Sequence, residues 1–166
     1  MRTLIVYGTK YGAARVCAER IANELGREAD VVNLADGGDL DLDAYDLVVV
    51  GTSIYMGRPR KEVRAFCRAR LETLLKKRVG LFLCCVQDGE PHLGGQFAAA
   101  FPAPLLGHAA ARAQLGGVVD FTKLSRLDRF IMTKVAGDLR ARGDVVSTLS
   151  DERIAMFCQM LAKTPE

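Results

Sequence analysis

The sequence is poor in the residues that build metal centres and disulfide frameworks. Its two histidines, His92 and His108, stand alone. Its five cysteines, Cys17, Cys67, Cys84, Cys85 and Cys158, never fall at CxxC spacing or beside a histidine. That argues against a zinc site and against a secreted disulfide scaffold. Cys17, Cys67 and Cys158 each fall on the apolar stripe of a predicted helix and read as buried thiols. No apolar run approaches the roughly 20 residues that cross a bilayer. The start lacks the charged, apolar and small-residue succession of a signal peptide, so a reducing, cytoplasmic location is expected. G-x-G-x-x-G and Gly-Lys-Ser/Thr are also missing, which sets aside the dinucleotide fingerprint and the nucleoside triphosphate loop. No linker, repeat or low-complexity stretch divides the chain, so residues 1–166 are expected to form one domain.

What is present is a globular composition, 49% hydrophobic and 26% charged over 166 residues, enough for a substantial core. Thr3 to Tyr7 reads as a buried strand, followed by a loop over Gly8–Gly12. A helix then runs to about Leu25, with Ala14, Cys17, Ala18, Ile21, Ala22 and Leu25 on one stripe and Gly26 at its end. A weaker strand is expected over Ala29–Asn33. A strong one covers Leu47–Val50 and stops at Gly51. After a loop to Pro59 a basic helix runs to about Leu75, and a fourth strand covers Val79–Val86. A short helix near Gln96–Phe101 and a turn marked by Pro102 and Pro104 lead to a fifth strand, Ala109–Leu115. Ser125 is placed to cap an extra helix carrying Leu127, Phe130, Ile131 and Val135. The last helix, about Asp151–Ala162, turns Ile154, Phe157, Cys158 and Leu161 inward. Strands alternating with helices predict an α/β fold with a doubly wound parallel sheet.

Charge is uneven although its formal net value is only +3. Glu28 to Asp46 contains acids and no Lys or Arg, whereas Arg58 to Arg78 is dense in Arg and Lys. Two readings of residues 58–78 stay open: a solvated helix face, or a docking surface for an anionic partner, substrate or lipid headgroup. The second implies peripheral contact at the inner face of a membrane. No nucleic-acid partner is expected.

Ligands of open parallel sheets bind beyond the carboxyl ends of the strands, which singles out three loops. In the first, Thr9, Lys10, Tyr11, Gly12, Ala13 and Ala14 lead into a helix start. Backbone N–H groups and the positive helix end suit a phosphate there. The second, Gly51, Thr52, Ser53, Ile54, Tyr55, Met56 and Gly57, offers two hydroxyls and an apolar, aromatic surface for a flat ring. The third contains Cys85, Val86, Gln87, Asp88 and Gly89, with Gln87 placed for a ring's polar edge. Cys84 and Cys85 point to opposite faces, Cys84 into the core and Cys85 toward the loop, and neither is expected to be a catalytic thiol. No acid–base catalyst stands out.

The runs Leu4-Ile-Val-Tyr-Gly-Thr-Lys-Tyr-Gly12 and Val50-Gly-Thr-Ser-Ile-Tyr-Met-Gly57 resemble flavodoxin-domain proteins. More closely, the chain is similar to the menaquinone-dependent protoporphyrinogen oxidase group, whose Asp-Arg-Phe segment is matched by Asp128-Arg129-Phe130. The resemblance implies a flavodoxin-like three-layer sandwich with a five-stranded parallel sheet ordered 2-1-3-4-5. It implies FMN, its phosphate on Thr9 to Ala14 and its ring between the second and third loops. Ala13 and Ala14 stand where such loops usually carry Thr or Ser. The lost hydroxyl bonds to a charged group are worth about 1.5–3 kcal/mol each.

The function implied is an FMN-dependent oxidoreductase that oxidises protoporphyrinogen IX and passes electrons to a quinone. The alternatives are a flavodoxin-type electron carrier, which the basic charge fits poorly, and a binding module that has lost FMN. For the extra helix, two roles stay open: a core-packed helix, or a cover that shapes a substrate or quinone pocket.

Overall fold

The computed structural model describes residues 1–26, 28–86, 92–135 and 137–163. Its main sheet is built from β1 (Thr3–Gly8), β2 (Ala29–Asn33), β3 (Leu47–Tyr55), β5 (Arg78–Cys84) and β6 (Ala111–Gln114), all parallel, in the spatial order β2-β1-β3-β5-β6. This is the expected 2-1-3-4-5 arrangement. The strand count is corrected by β4 (Arg58–Pro59), which folds back antiparallel on the end of β3 and makes six.

Alternation along each strand sends side chains to two cores. Ile5, Tyr7, Leu47, Val49, Phe82 and Cys84 meet α1 (Ala13–Leu25) and α8 (Asp151–Ala162) on one face. Leu4, Val6, Val48, Val50, Leu81 and Leu83 meet a second layer of helices on the other. That layer holds α2 (Lys61–Ala69), α3 (Leu71–Leu74), α4 (His92–Ala100) and α5 (Ala103–His108). Cys17, Cys67 and Cys158 are buried as expected. The last helix turns in Ile154, Phe157, Cys158 and Leu161 and is capped by Ser150, whose side chain accepts from the Arg153 N–H.

Several boundaries differ. The basic helix is broken at Arg70 into α2 and α3. The fourth strand ends at Cys84 rather than Val86, and the fifth is shorter at both ends than Ala109–Leu115. The proline-marked turn is itself a helix, α5, with Pro104 in its first turn, where a missing N–H costs nothing. Gly51 does not stop the third strand. A Cβ there would lie 1.9 Å from Cζ of Phe82, so glycine admits the Phe82 ring beneath an extended strand that continues to Tyr55.

After β6 the chain builds a segment with its own small core. β7 (Val118–Asp120) and β8 (Val145–Ser147) pair antiparallel, with α6 (Arg126–Val135) and α7 (Gly137–Arg140) between them. Val119, Phe121, Leu124 and Val146 form that core, and Tyr11, Val86 and Met132 pack against it. Ser125 caps α6 as expected, accepting from the Asp128 N–H at 3.1 Å. The core-packed reading of this helix fails for Leu127 and Phe130, which are 68% and 59% exposed.

Candidate functional site

The strand order reverses between β1 and β3, and the residues beyond their carboxyl ends converge there. Gly12 precedes α1 with φ 97°, a left-handed conformation that favours glycine. The Gly12 N–H donates to Thr9 Oγ1 at 2.9 Å, which ties the first loop into a collar. No side chain caps α1, and no acid lies in its first turn. Its N-terminal N–H groups and positive dipole end are therefore left to an anion. Ala13 and Ala14 are buried, so this part of the cradle consists of backbone alone.

The second loop is mostly strand. Alternation places Ser53 and Tyr55 on the α1 face and Thr52 and Ile54 on the opposite one. Thr52 is not available to a ligand: its Oγ1 accepts from the Arg60 N–H at 3.0 Å and fixes the start of α2. Ser53 Oγ is buried without a hydrogen-bond partner, an arrangement that folded proteins rarely leave unanswered. The buried Tyr55 hydroxyl has the Asp128 carboxylate as its neighbour. Only Met56 and Gly57 form the turn, with φ 49° and 71°, as in a two-residue hairpin. Ile54 pairs with Pro59 across that hairpin.

In the third loop the Cys85 N–H donates to the Gly116 carbonyl at 3.0 Å, and the Cys85 carbonyl accepts from Gln114 Nε2 at 2.8 Å. Val86 is half-buried against the small core of the β7–β8 segment. Gln87 and the residues to Pro91 lie outside the described residues. Cys84 and Cys85 do point to opposite faces, Cys84 Sγ lying 3.2 Å from Cys17 Sγ in α1. The Cys85 thiol is buried against α4, 3.8 Å from Gln96 Nε2, rather than turned to the loop. Burial pushes the Cys67 thiol up to about 12 and the Cys158 thiol up to about 11. Burial, reinforced by Cys17, also raises Cys84 well above the ordinary thiol range. Such thiols are poor nucleophiles.

The sequence reading missed the role of Asp128. Its Oδ2 accepts from the Tyr11 hydroxyl and lies 2.9 Å from Lys10 Nζ. Lys10 Nζ also sits 4.1 Å from the centre of the Tyr55 ring, and Tyr11 meets Tyr55 edge-to-face at 5.7 Å. The Tyr11 hydroxyl, and next to it the Lys10 ammonium, hold the Asp128 carboxyl well below the usual carboxylate range. Burial, and behind it Asp128, raises the phenol of Tyr55. Thus α6 is clasped to the first loop and to the end of β3. The Asp-Arg-Phe match marks this residue, but an acid three residues after a capping serine is ordinary at a helix start, and nothing local points to its partners.

The charge runs are partly each other's partners. Arg70 pairs with Asp39 at 2.7 Å, and Lys77 lies 3.8 Å from Asp43. Arg60 turns onto Glu62, and Arg78 donates to the Leu161 carbonyl at the end of α8. Lys61, Arg64 and Arg68 are exposed along one face of α2. They have no acidic partner among the described residues. His108 is exposed and bonded to the Lys77 carbonyl at 2.7 Å.

Comparison with known proteins agrees with this geometry. Over 98% of this chain and 95% of the other, the sequence is 26% identical to the protoporphyrinogen IX dehydrogenase [quinone] of Escherichia coli K12. Among solved structures, a flavodoxin from Streptococcus pneumonia TIGR4 superposes with a TM-score of 0.54 at 15% identity, covering 98% of each chain. A WrbA-like flavodoxin from Agrobacterium tumefaciens gives 0.51 at 22%, covering 86% of this chain and 99% of that one. These likenesses establish the fold. Residues 4–145 match the flavodoxin domain, and the chain belongs to the flavodoxin-domain family.

Proposed function

We propose that the protein is an FMN-dependent oxidoreductase whose flavin lies across the carboxyl ends of β1, β3 and β5. The observation that carries this reading is the uncapped start of α1 beside the buried, unpartnered hydroxyl of Ser53. The donor set fits a flavin mononucleotide. The backbone N–H groups of Ala13 and Ala14, at the start of α1, would take the phosphate. Met56, Tyr55 and the Cys85–Val86 backbone would border the ring. FMN, when bound, supplies the redox chemistry.

The residues around it position and shield. Tyr55 and Tyr11 form an aromatic wall, and α6 closes one side of the rim through Asp128. Ser53 places one hydroxyl, able to donate or accept, next to the cradle. Lys61, Arg64 and Arg68 offer cations to an anionic substrate on the other side of the sheet edge. By analogy with the named relative, the substrate is protoporphyrinogen IX, whose propionates suit such cations, and the acceptor is a quinone. The test is porphyrinogen-dependent quinone reduction by the FMN-loaded protein. FMN binding without that activity would leave an electron carrier or an oxidoreductase for another donor.

A second reading has its own observation. Lys10, the cation of the first loop, is already paired with Asp128, and Ala13 and Ala14 bring no hydroxyls. A binding module without flavin would show that pattern. Failure to bind FMN at high micromolar concentration would establish it.

A further inference from the structure

Helix α6 carries an apolar stripe that faces away from the protein. Leu127 and Phe130 are 68% and 59% exposed, and Ile131, one turn after Leu127, is partly so. At i, i+3 and i+4 they share one side of the helix. Large apolar side chains gathered on one exposed helix face mark an interaction surface. The opposite side is committed, since Asp128 clasps Lys10 and Tyr11 and Met132 packs on the small core.

The charges around the stripe are cationic. Lys134 lies over the Phe130 ring at 4.5 Å, and Arg126 has no acidic partner among the described residues. Asp128 is the only acid in α6, and its charge is spent on the inner side. An exposed Leu–Phe pair flanked by an Arg and a Lys has the chemistry of a helix lying in a membrane interface. Its apolar side chains enter the acyl boundary and its cations meet anionic headgroups. No helix among the described residues is long and apolar enough to cross a membrane, so contact through this face would be peripheral.

We propose that α6 docks this protein onto anionic phospholipid bilayers through Leu127 and Phe130, with Arg126 and Lys134 as headgroup contacts. The docking requires no flavin. Together with the function proposed above, it would bring the rim of the site to the lipid in which hydrophobic quinones dissolve.

The chain contains no tryptophan, so Phe130→Trp in this 166-residue chain introduces a sole indole reporter. Vesicles of phosphatidylglycerol and phosphatidylcholine at physiological ionic strength should shift its emission to the blue. Brominated acyl chains should quench it, and vesicles of phosphatidylcholine alone should act far more weakly. In co-sedimentation, the Leu127→Glu, Phe130→Glu double variant should lose about tenfold or more of its vesicle binding. Its circular dichroism and FMN titration should be unchanged. Lys61→Glu, Arg64→Glu should bind vesicles within about twofold of the parent, which separates α6 from the basic face of α2. Three results would overturn the proposal. One is no blue shift with anionic vesicles, and another is vesicle binding that survives the double variant. The third is a dimer, seen by sedimentation velocity and abolished by the double variant, which would make the covering surface a second copy of the chain. Failure to bind FMN leaves each of these readouts intact.

Discussion

Tyr11 and Asp128 are separated by 117 residues and joined by one hydrogen bond, in which the Tyr11 hydroxyl donates to Asp128 Oδ2. The contact fastens α6 to the loop that precedes α1, where Lys10 adds its ammonium at 2.9 Å. A buried carboxylate with two such partners stabilises the fold and at the same time places negative charge beside an anion cradle. The two effects make opposite predictions for one substitution.

Asp128→Asn should lower stability at pH 7 by about 1.5–3 kcal/mol, the range for hydrogen bonds to charged groups. The folded protein depresses this carboxyl below its ordinary 3.8. Its contribution is therefore complete above that value and is lost as pH falls through the folded value. Urea denaturation at pH 7 and pH 3 should show the gap between parent and variant narrowing in acid. FMN affinity should rise about threefold to tenfold, because a charge repelling the phosphate is removed and Lys10 is released.

Gly51→Ala should be strongly destabilising, because its Cβ would lie 1.9 Å from Phe82 Cζ. Overpacking of this kind costs about 1–3 kcal/mol or more. Phe82→Leu in the same chain should recover part of the loss, since the smaller side chain vacates the space. Denaturant midpoints for the two single variants and the double variant measure the coupling.

Met56 holds φ 49° at the hairpin tip and is 52% exposed. Met56→Gly should stabilise the turn by up to about 1 kcal/mol, what remains of the roughly 1–2 kcal/mol cost of a left-handed conformation after glycine's larger loss of chain entropy. The same change should weaken FMN binding, because an apolar side chain leaves the ring's border. Thermal unfolding and flavin titration, read together, check both signs.

The thiols should be silent. All five cysteines are buried, and burial raises Cys67 to about 12. Reaction with a disulfide reagent at pH 8 should be slow in buffer and fast in denaturant. Fast labelling of the folded protein would show that the sheet faces are open.

The parallel sheet was legible because β1, β3 and β5 are continuous apolar runs covered on both faces. The capping serine of α6 was legible because a serine just before an apolar stripe is a local helix-start signal. Gly51 was misread because a glycine that ends a strand and a glycine that admits a ring look alike without the partner residue. The β7–β8 pair escaped because each strand has three residues and the two lie far apart in sequence. The first loop was placed correctly at the start of α1, but Thr52 was counted as a ligand hydroxyl although the Arg60 N–H occupies it. Asp128 was noticed only through the Asp-Arg-Phe match, and its clasp on Lys10 and Tyr11 was not, because these partners lie more than a hundred positions away.

Lys61, Arg64 and Arg68 should set the salt dependence of any anionic substrate. Glutamate at all three should raise the KM for a dicarboxylate or tetracarboxylate donor and flatten its dependence on ionic strength. FMN binding should be unaffected. An unchanged KM would assign this face to solvent.

The most direct test of the flavin site is a calorimetric comparison of FMN with riboflavin, which has the ring but no phosphate. One-to-one FMN binding at micromolar or tighter affinity is expected, at least about tenfold tighter than riboflavin. Ser53→Ala should weaken both ligands, because the Ser53 hydroxyl is buried beside the cradle without a partner. No FMN binding at high micromolar concentration, or equal affinity for the two ligands, would contradict a phosphate held at the start of α1.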